Sequence, residues 1–434
     1  MKIEKTDVLV VGGGAAGAVA ASAVLDAGKS VSVVFANGGG SEICGGAMDV
    51  MGVVPGEKPM ICESYKEGIS QLLAVYPDHV YGKCEEQLDK GLDALVSLAK
   101  AGGYTLHGFD GKNVWVPNMM GTFSVNAFVP EMMKDSVLEP GAEEKVLVIG
   151  VKGNVAFNAV AAAQSYQQYQ KKLGGKAIYF STEIKIGGWG DRRKISDGEL
   201  ADYLDTEEGL EELIGLIKTF CSNNRYQFDK ILFPPALGYI HYEENLAKIK
   251  DACDCKVGEV EALGNSVTGY RFTRALYRGL EAKGANLVRG TVVKEVETTA
   301  EGVSAKCIIG LTDQLHPGKE ATLESSALVL AAGGFVGGGI KARHTEVWIE
   351  LLNQKLGSVV VDQLDRDAVN PKGQGFMRMG VDVADDMMVA EGQYNGRIYA
   401  CGSILSHQNF ASERSSVGVA VASAYKAGLQ AAGK

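Results

Sequence analysis

The residues best placed to do chemistry in this chain are glycines. Gly12-Gly13-Gly14-Ala15-Ala16-Gly17 has GxGxxG spacing. In that pattern the first glycine permits a sharp turn, the second lets a pyrophosphate approach the backbone, and the third lets a helix lie close on a strand. Phosphates then meet the free N–H groups at the positive end of the helix. Gly12, Gly14, Ala15, Ala16 and Gly17 are therefore the first candidates for holding a phosphate-bearing cofactor. Their surroundings support this, because Thr6 to Val11 reads as a strand, Ala18 to Ala27 as a helix and Ser30 to Phe35 as a second strand. One element is missing. The acid that usually holds an adenosine ribose at the end of the second strand is replaced by Phe35-Ala36-Asn37, where Asn37 alone can make a polar contact. FAD, NAD and a mononucleotide all stay open on this ground.

Other small residues extend the site. Ser41, Gly45 and Gly46 belong to a run from Asn37 to Asp49 in which the main chain can pass within van der Waals reach of a flat ring system. Ala327 to Phe335 reads as a buried strand ending in Gly333 and Gly334, and Arg397 to Ser403 as a strand entering a turn at Gly402 and Ser403. Ser415 or Ser416 is a candidate N-cap for a last helix, kept thin by Gly418, Ala420, Ala422 and Ala424. The amino end of that helix, at Ser416 and Val417, offers N–H donors and partial positive charge suited to the electron-rich edge of a flavin. The expected cofactor is thus a non-covalently held flavin, FAD or FMN. Cys44 and Cys401 could be placed beside the ring, but nothing else marks either as reactive. A flavin enzyme acting on a small acid would also need a proton donor and an anion clamp. His407 and Arg414 are the candidates, with Arg343-His344 as a second pair, although such pairs are more often surface groups.

Composition bounds the rest. The chain has 434 residues, 46% hydrophobic and 22% charged, which describes a folded globular protein of two or three units. Its 56 glycines against 10 prolines are far above the usual share. A net charge of −10 disfavours nucleic acid and anionic lipid as direct ligands. The eight cysteines form no CxxC, so iron–sulfur ligation and a metal site are not expected. No apolar run is long enough to span a membrane. The chain enters a strand at its start without a signal-like segment, which predicts a cytoplasmic protein. Eight acids fall between Ser196 and Ile217 with no Lys or Arg, either a solvated helical face or a docking surface for a basic partner.

The pattern of elements predicts an α/β protein. A Rossmann-like flavin-binding domain is built from residues 1–104 and 266–434, and a second α/β domain, 105–265, is inserted into it. In the insert, Lys145 to Gly150, Lys176 to Phe180 and Lys230 to Phe233 read as strands, and Gly150-Val151-Lys152-Gly153 as a structural turn. Asn286 to Val296 and Val303 to Ile309 suggest a small antiparallel piece. Phe233-Pro234-Pro235-Ala236-Leu237-Gly238-Tyr239-Ile240 is either an apolar docking loop or an internal plug, since two prolines exclude helix and central strand.

Taken together, these stretches resemble the fumarate-reductase-type flavoproteins. More closely, the chain resembles the family of B-type subunits of anaerobic glycerol-3-phosphate dehydrogenase over most of its length. The resemblance is carried by Val11 to Gly17, Cys44 to Asp49, Lys145 to Phe157, Leu200 to Asp205, Phe233 to Gly238, Leu328 to Ile340 and Ile398 to Leu405. It implies a complex in which an A-type flavoprotein subunit oxidises glycerol 3-phosphate to dihydroxyacetone phosphate. The B-like chain carries a flavin, and an iron–sulfur C-type subunit passes electrons to membrane quinone. The chain would then sit at the inner face of the cytoplasmic membrane through its partners. Two alternatives stand beside this: a stand-alone flavin oxidoreductase of fumarate-reductase type acting on a small acid, and an assembly subunit without a redox role. The chain alone is expected to turn over little glycerol 3-phosphate. A phosphate monoester needs clustered cations, and the only basic run is Arg192-Arg193-Lys194.

Overall fold

A computed structural model of the chain describes residues 5–189, 194–224, 227–264, 266–310, 318–358, 364–368, 370–389 and 394–434. Arg192 and Arg193 of the basic run fall outside these. The chain forms two units, Met1–Glu42 with Asp49–Gly103 and Thr273–Lys434, and Ile43–Met48 with Tyr104–Phe272. The segment Ile43–Met48, read from the sequence as part of the flavin-binding domain, goes with the second unit. Met48 exchanges backbone hydrogen bonds with Phe128 and Ala127, and the Gly45 carbonyl accepts from the Ala262 N–H.

In the first unit, β1 (Thr6–Val11), α1 (Ala15–Asp26) and β2 (Val31–Phe35) make the βαβ start. The helix α2 (Val267–Lys283) enters from residue 273 onward, followed by β3 (Asn286–Arg289), β4 (Thr291–Thr298), β5 (Val303–Ile309), β6 (Lys319–Leu330) and β7 (Ile398–Ala400). The last element is α3 (Ser416–Ala431). The seven-stranded sheet runs β3-β2-β1-β6-β5-β4, with β7 on the carboxyl half of β6. β3, β2, β1, β6 and β7 are parallel, while β4, β5 and the first half of β6 pair antiparallel. The expected single strand from Asn286 to Val296 is broken at Gly290, whose φ of +61° turns the chain, so its first half joins the parallel set.

Register decides where the loops meet. Val11 lies opposite Val34 and Leu330, and Leu330 opposite Ala400. Four strands therefore end together, and the turns after them emerge at one carboxyl edge, where ligands of open α/β sheets bind. Alanine-rich α1 is buried almost throughout, and α3 packs on it closely enough that a Cβ on Gly428 would meet the Ala20 carbonyl oxygen at 2.4 Å.

The second unit is built on a four-stranded parallel sheet in the order Ile178–Ile184, Lys145–Val151, Lys230–Phe233, Lys256–Glu259. Its core includes Val146, Val148, Phe157, Tyr166 and Leu232. The turn after Lys145–Val151 has its polar needs met locally, since the Asn154 side chain accepts from the N–H groups of Ala156 and Phe157 and Asn158 caps the next helix. The Phe233 to Ile240 segment is a plug. Residues 233–238 are buried and Ile240 alone is well exposed. The Leu237 N–H donates to Glu259, and Asp205 accepts from the N–H groups of Tyr239, Ile240 and His241. Glu259 also forms a bidentate pair with Arg271, at 2.7 and 3.1 Å, with neither side chain exposed. At least Asp205 in the acidic stretch is thus spent on structure.

Candidate functional site

The phosphate turn grows directly out of β1. Gly12 adopts φ +133°, and a Cβ there would stand 2.1 Å from the Ala331 carbonyl oxygen, so the turn after β1 presses against the turn after β6. Gly17 is equally constrained, a Cβ meeting the Gly12 carbonyl oxygen at 2.0 Å. Gly14 differs. It is the N-cap of α1 with φ −81° and ψ −177°, and a Cβ would find only Ser41 Oγ at 3.2 Å and Gly38 O at 3.4 Å. Geometry alone does not demand glycine there. The space its missing side chain leaves is a cradle at the positive end of a helix.

The donors fit the same purpose. Ala15 N–H donates to Ser41 Oγ at 2.9 Å, and no acceptor for the N–H groups of Gly14 and Ala16 occurs among the described residues. A phosphate would meet two unengaged N–H groups plus a hydroxyl able to turn and donate. Asn37 is less useful than the sequence suggested: its carboxamide oxygen accepts from Gly39 N–H in a local exposed turn. Glu42 had no signal of its own in the sequence, yet its carboxylate accepts the Gly38 N–H at 2.8 Å beside the end of β2. The Phe35 ring lies on Gly13 and stacks on Tyr277 of α2 at 4.7 Å, and the buried Tyr277 hydroxyl has no hydrogen-bond partner among the described residues.

The other turns converge on this edge. Gly334 N–H donates to Ser403 Oγ at 2.9 Å, and Gly333 has φ +78°. Gly402, at φ +80°, lies against Ala16 and donates its N–H to Ser423 of α3. Gly12, Gly14, Ala15, Ala16, Gly17, Ser41, Gly333, Gly334, Gly402 and Ser403 are therefore gathered in one place. Gly45 and Gly46 belong to the second unit, where their close approaches are to Ala262 and to Met133 and Thr268.

The start of α3 holds what the sequence did not reveal. Ser423 is level with Ala16, and Gly428 with Ala20, so the helices run parallel. Ser416 lies seven residues before Ser423, which carries the amino end of α3 about 10 Å beyond that of α1 at 1.5 Å per residue. That end is not bare. Asp49 Oδ1 accepts from Ser416 Oγ at 2.5 Å and Val417 N–H at 3.3 Å, and the Asp49 carbonyl accepts from Gly418 N–H. Ser416 and Val417, read from the sequence as flavin donors, thus give these groups to Asp49. Arg414, with φ +54°, sets its Nε 3.7 Å from Asp49 Oδ2. The preceding Glu413 is fully buried and accepts from Ser415 Oγ, Asn409 N–H, Arg378 and His79. Tyr81 N–H donates to His79 Nδ1, which leaves the proton on Nε2 facing Glu413.

His407 stands apart. Its ring nitrogens lie 2.9 Å from Asp78 and 3.2 Å from Asp382, all three side chains being largely exposed. Arg343 pairs with Glu350 in a surface hairpin. Burial pushes the Cys401 thiol far above its ordinary value, which disfavours the thiolate there. Among the described residues no His, Cys, Asp and Glu cluster is placed to hold a metal ion, and no helix is long and apolar enough to cross a membrane.

A mixed sheet whose parallel half carries a glycine turn, an open helix end and converging edge loops defines a dinucleotide-type flavin fold. The chain belongs to the FAD-binding domain family, whose model matches residues 7–419. It is a flavoprotein and a flavin-dependent oxidoreductase. Among curated relatives it is similar to the probable B-type subunit of anaerobic glycerol-3-phosphate dehydrogenase from Halobacterium salinarum, 26% identical with 100% of this chain and 99% of that one covered. The corresponding B-type subunit of anaerobic glycerol-3-phosphate dehydrogenase from Yersinia enterocolitica is 22% identical, with 97% and 96% covered. Among solved structures, Sdh1 of Mycobacterium smegmatis in complex with UQ1 overlays at a TM-score of 0.41 and 11% identity, covering 100% of this chain and 69% of that one. The family resemblance read from the sequence agrees with these relatives.

Proposed function

We propose that this chain is the flavin-carrying B-type subunit of a quinone-linked anaerobic glycerol-3-phosphate dehydrogenase. An A-type subunit oxidises glycerol 3-phosphate to dihydroxyacetone phosphate, and an iron–sulfur C-type subunit takes the electrons onward. The observation that carries this reading is similarity to relatives of that name from end to end, second unit included. The flavin is held without a covalent bond. Its phosphate rests on Gly14, Ala15, Ala16 and Ser41, and its ring lies along the edge formed by Gly333, Gly334, Gly402 and Ser403 toward the start of α3. Bound there, a flavin takes up two electrons and can release them singly. Polar contact to an adenosine half would come from Glu42 and Tyr277, since Phe35 removes the usual acid. Peripheral seating at the inner membrane face follows from the partners.

Affinity purification of the tagged chain from native extract tests this. The expected result is a coloured complex containing an iron–sulfur protein and a second flavoprotein, with glycerol-3-phosphate-dependent reduction of a quinone analogue. Recovery of the chain only as a free monomer would refute the subunit reading. Robust glycerol 3-phosphate turnover by the lone chain would favour a stand-alone enzyme instead.

A further inference from the structure

The start of α3 carries a charge arrangement that the cofactor cradle does not require. Asp49 is 12% exposed at the side chain, and its carboxylate and carbonyl together take three donors from the first residues of α3. A carboxylate in this position cancels the partial positive charge of a helix amino end. Arg414 lies on the other carboxylate oxygen and partly offsets it. The parallel packing of α1 and α3 carries this end about 10 Å past the phosphate turn at 1.5 Å per residue, on the same carboxyl edge of the sheet as Gly14.

We infer that Asp49 is a positioning and tuning residue that lowers the electron affinity of the flavin, with Arg414 as its counterweight; this rests on the flavin seat proposed above. A flavin gains negative charge as it is reduced, so a carboxylate nearby favours the oxidised form and a guanidinium the reduced form. Removing either partner should therefore move the midpoint potential in opposite directions. A merely structural cap would not do that.

The test is a dye-mediated redox titration of the full chain as wild type, Asp49→Asn, Asp49→Glu and Arg414→Gln, with flavin occupancy read from absorbance. Asp49→Asn should raise the midpoint potential, shifting the reduced-to-oxidised ratio at a fixed ambient potential by roughly tenfold or more. Asp49→Glu should stay near wild type, and Arg414→Gln should lower the potential. Full occupancy with an unchanged potential in Asp49→Asn overturns the inference and leaves the flavin seat standing. A wild-type chain without flavin overturns the seat itself. Should Asp49→Asn fail to fold or lose its flavin, Arg414→Gln decides: a potential that is unchanged or raised overturns the inference.

Discussion

Gly14→Val separates cofactor binding from folding. At φ −81° and ψ −177° any residue is tolerated, and the new Cβ meets Ser41 Oγ at 3.2 Å, which must give by a few tenths of an ångström, and Gly38 O at an ordinary 3.4 Å. Replacing a glycine N-cap with a β-branched residue costs about 1 kcal/mol. Set against a stability of roughly 5–15 kcal/mol, the protein remains folded, with its melting temperature lowered by about 1–2 °C. The loss in binding is larger. Displacing a phosphate from two N–H groups removes two charge-assisted hydrogen bonds, each worth about 1.5–3 kcal/mol. Affinity should fall by about a hundredfold or more. Gly12→Ala is the control, because its Cβ would stand 2.1 Å from a backbone oxygen at φ +133°, and that variant should fail to fold. The assay is the ratio of flavin to protein absorbance after desalting, beside a thermal melt. A folded Gly14→Val protein with full flavin occupancy would refute the phosphate seat.

Further outcomes can be checked on the same preparations. Glu259→Ala leaves Arg271 buried without its partner and should cost about 3–5 kcal/mol in urea unfolding; a change below about 1 kcal/mol contradicts the role given to this pair. Burial pushes Cys84 up to about 12 from 9.0, so above pH 9 the thiol ionises in the unfolded chain but stays protonated in the folded one. The unfolded state then binds fewer protons, and stability should fall as pH rises from 9 toward 12, less steeply in Cys84→Ala. His407→Ala should leave flavin content and melting temperature unchanged, its partners being exposed acids. Heat-released flavin, weighed by mass spectrometry, distinguishes FAD from FMN.

The parallel strands were legible because they are short apolar runs ended by turn residues, glycine after Val11 and proline after Phe233. Thr6–Val11 and Lys230–Phe233 have the ends the sequence suggests. The sequence puts the start of α1 three residues late, since glycine argues against helix, yet Gly17 sits inside the first turn where only its small size fits. The start of α3 was readable as a helix, but not as a capped one. Asp49 lies more than 360 positions from Ser416, and His79 more than 330 from Glu413, so no local pattern joins them. The 233–240 loop shows the same limit. Its apolar residues pointed equally to a partner or an interior, and distant Asp205 and Glu259 settle it by taking its N–H groups.

β6 pairs along its second half with β1, more than 310 residues earlier, and α3 closes on α1 across a still longer span. A ribosome must therefore deliver nearly the whole chain before the first fifty residues have their neighbours. Apart from Ile43–Met48, the second unit is continuous and can collapse while synthesis continues, whereas β1 and α1 wait with apolar surface uncovered. Flavin loading then belongs after α3 has left the ribosome. Truncation before Ser416 should harm the beginning of the protein more than its middle, and limited proteolysis of such a truncated chain would show cleavage within residues 6–35 while residues 145–259 stay protected.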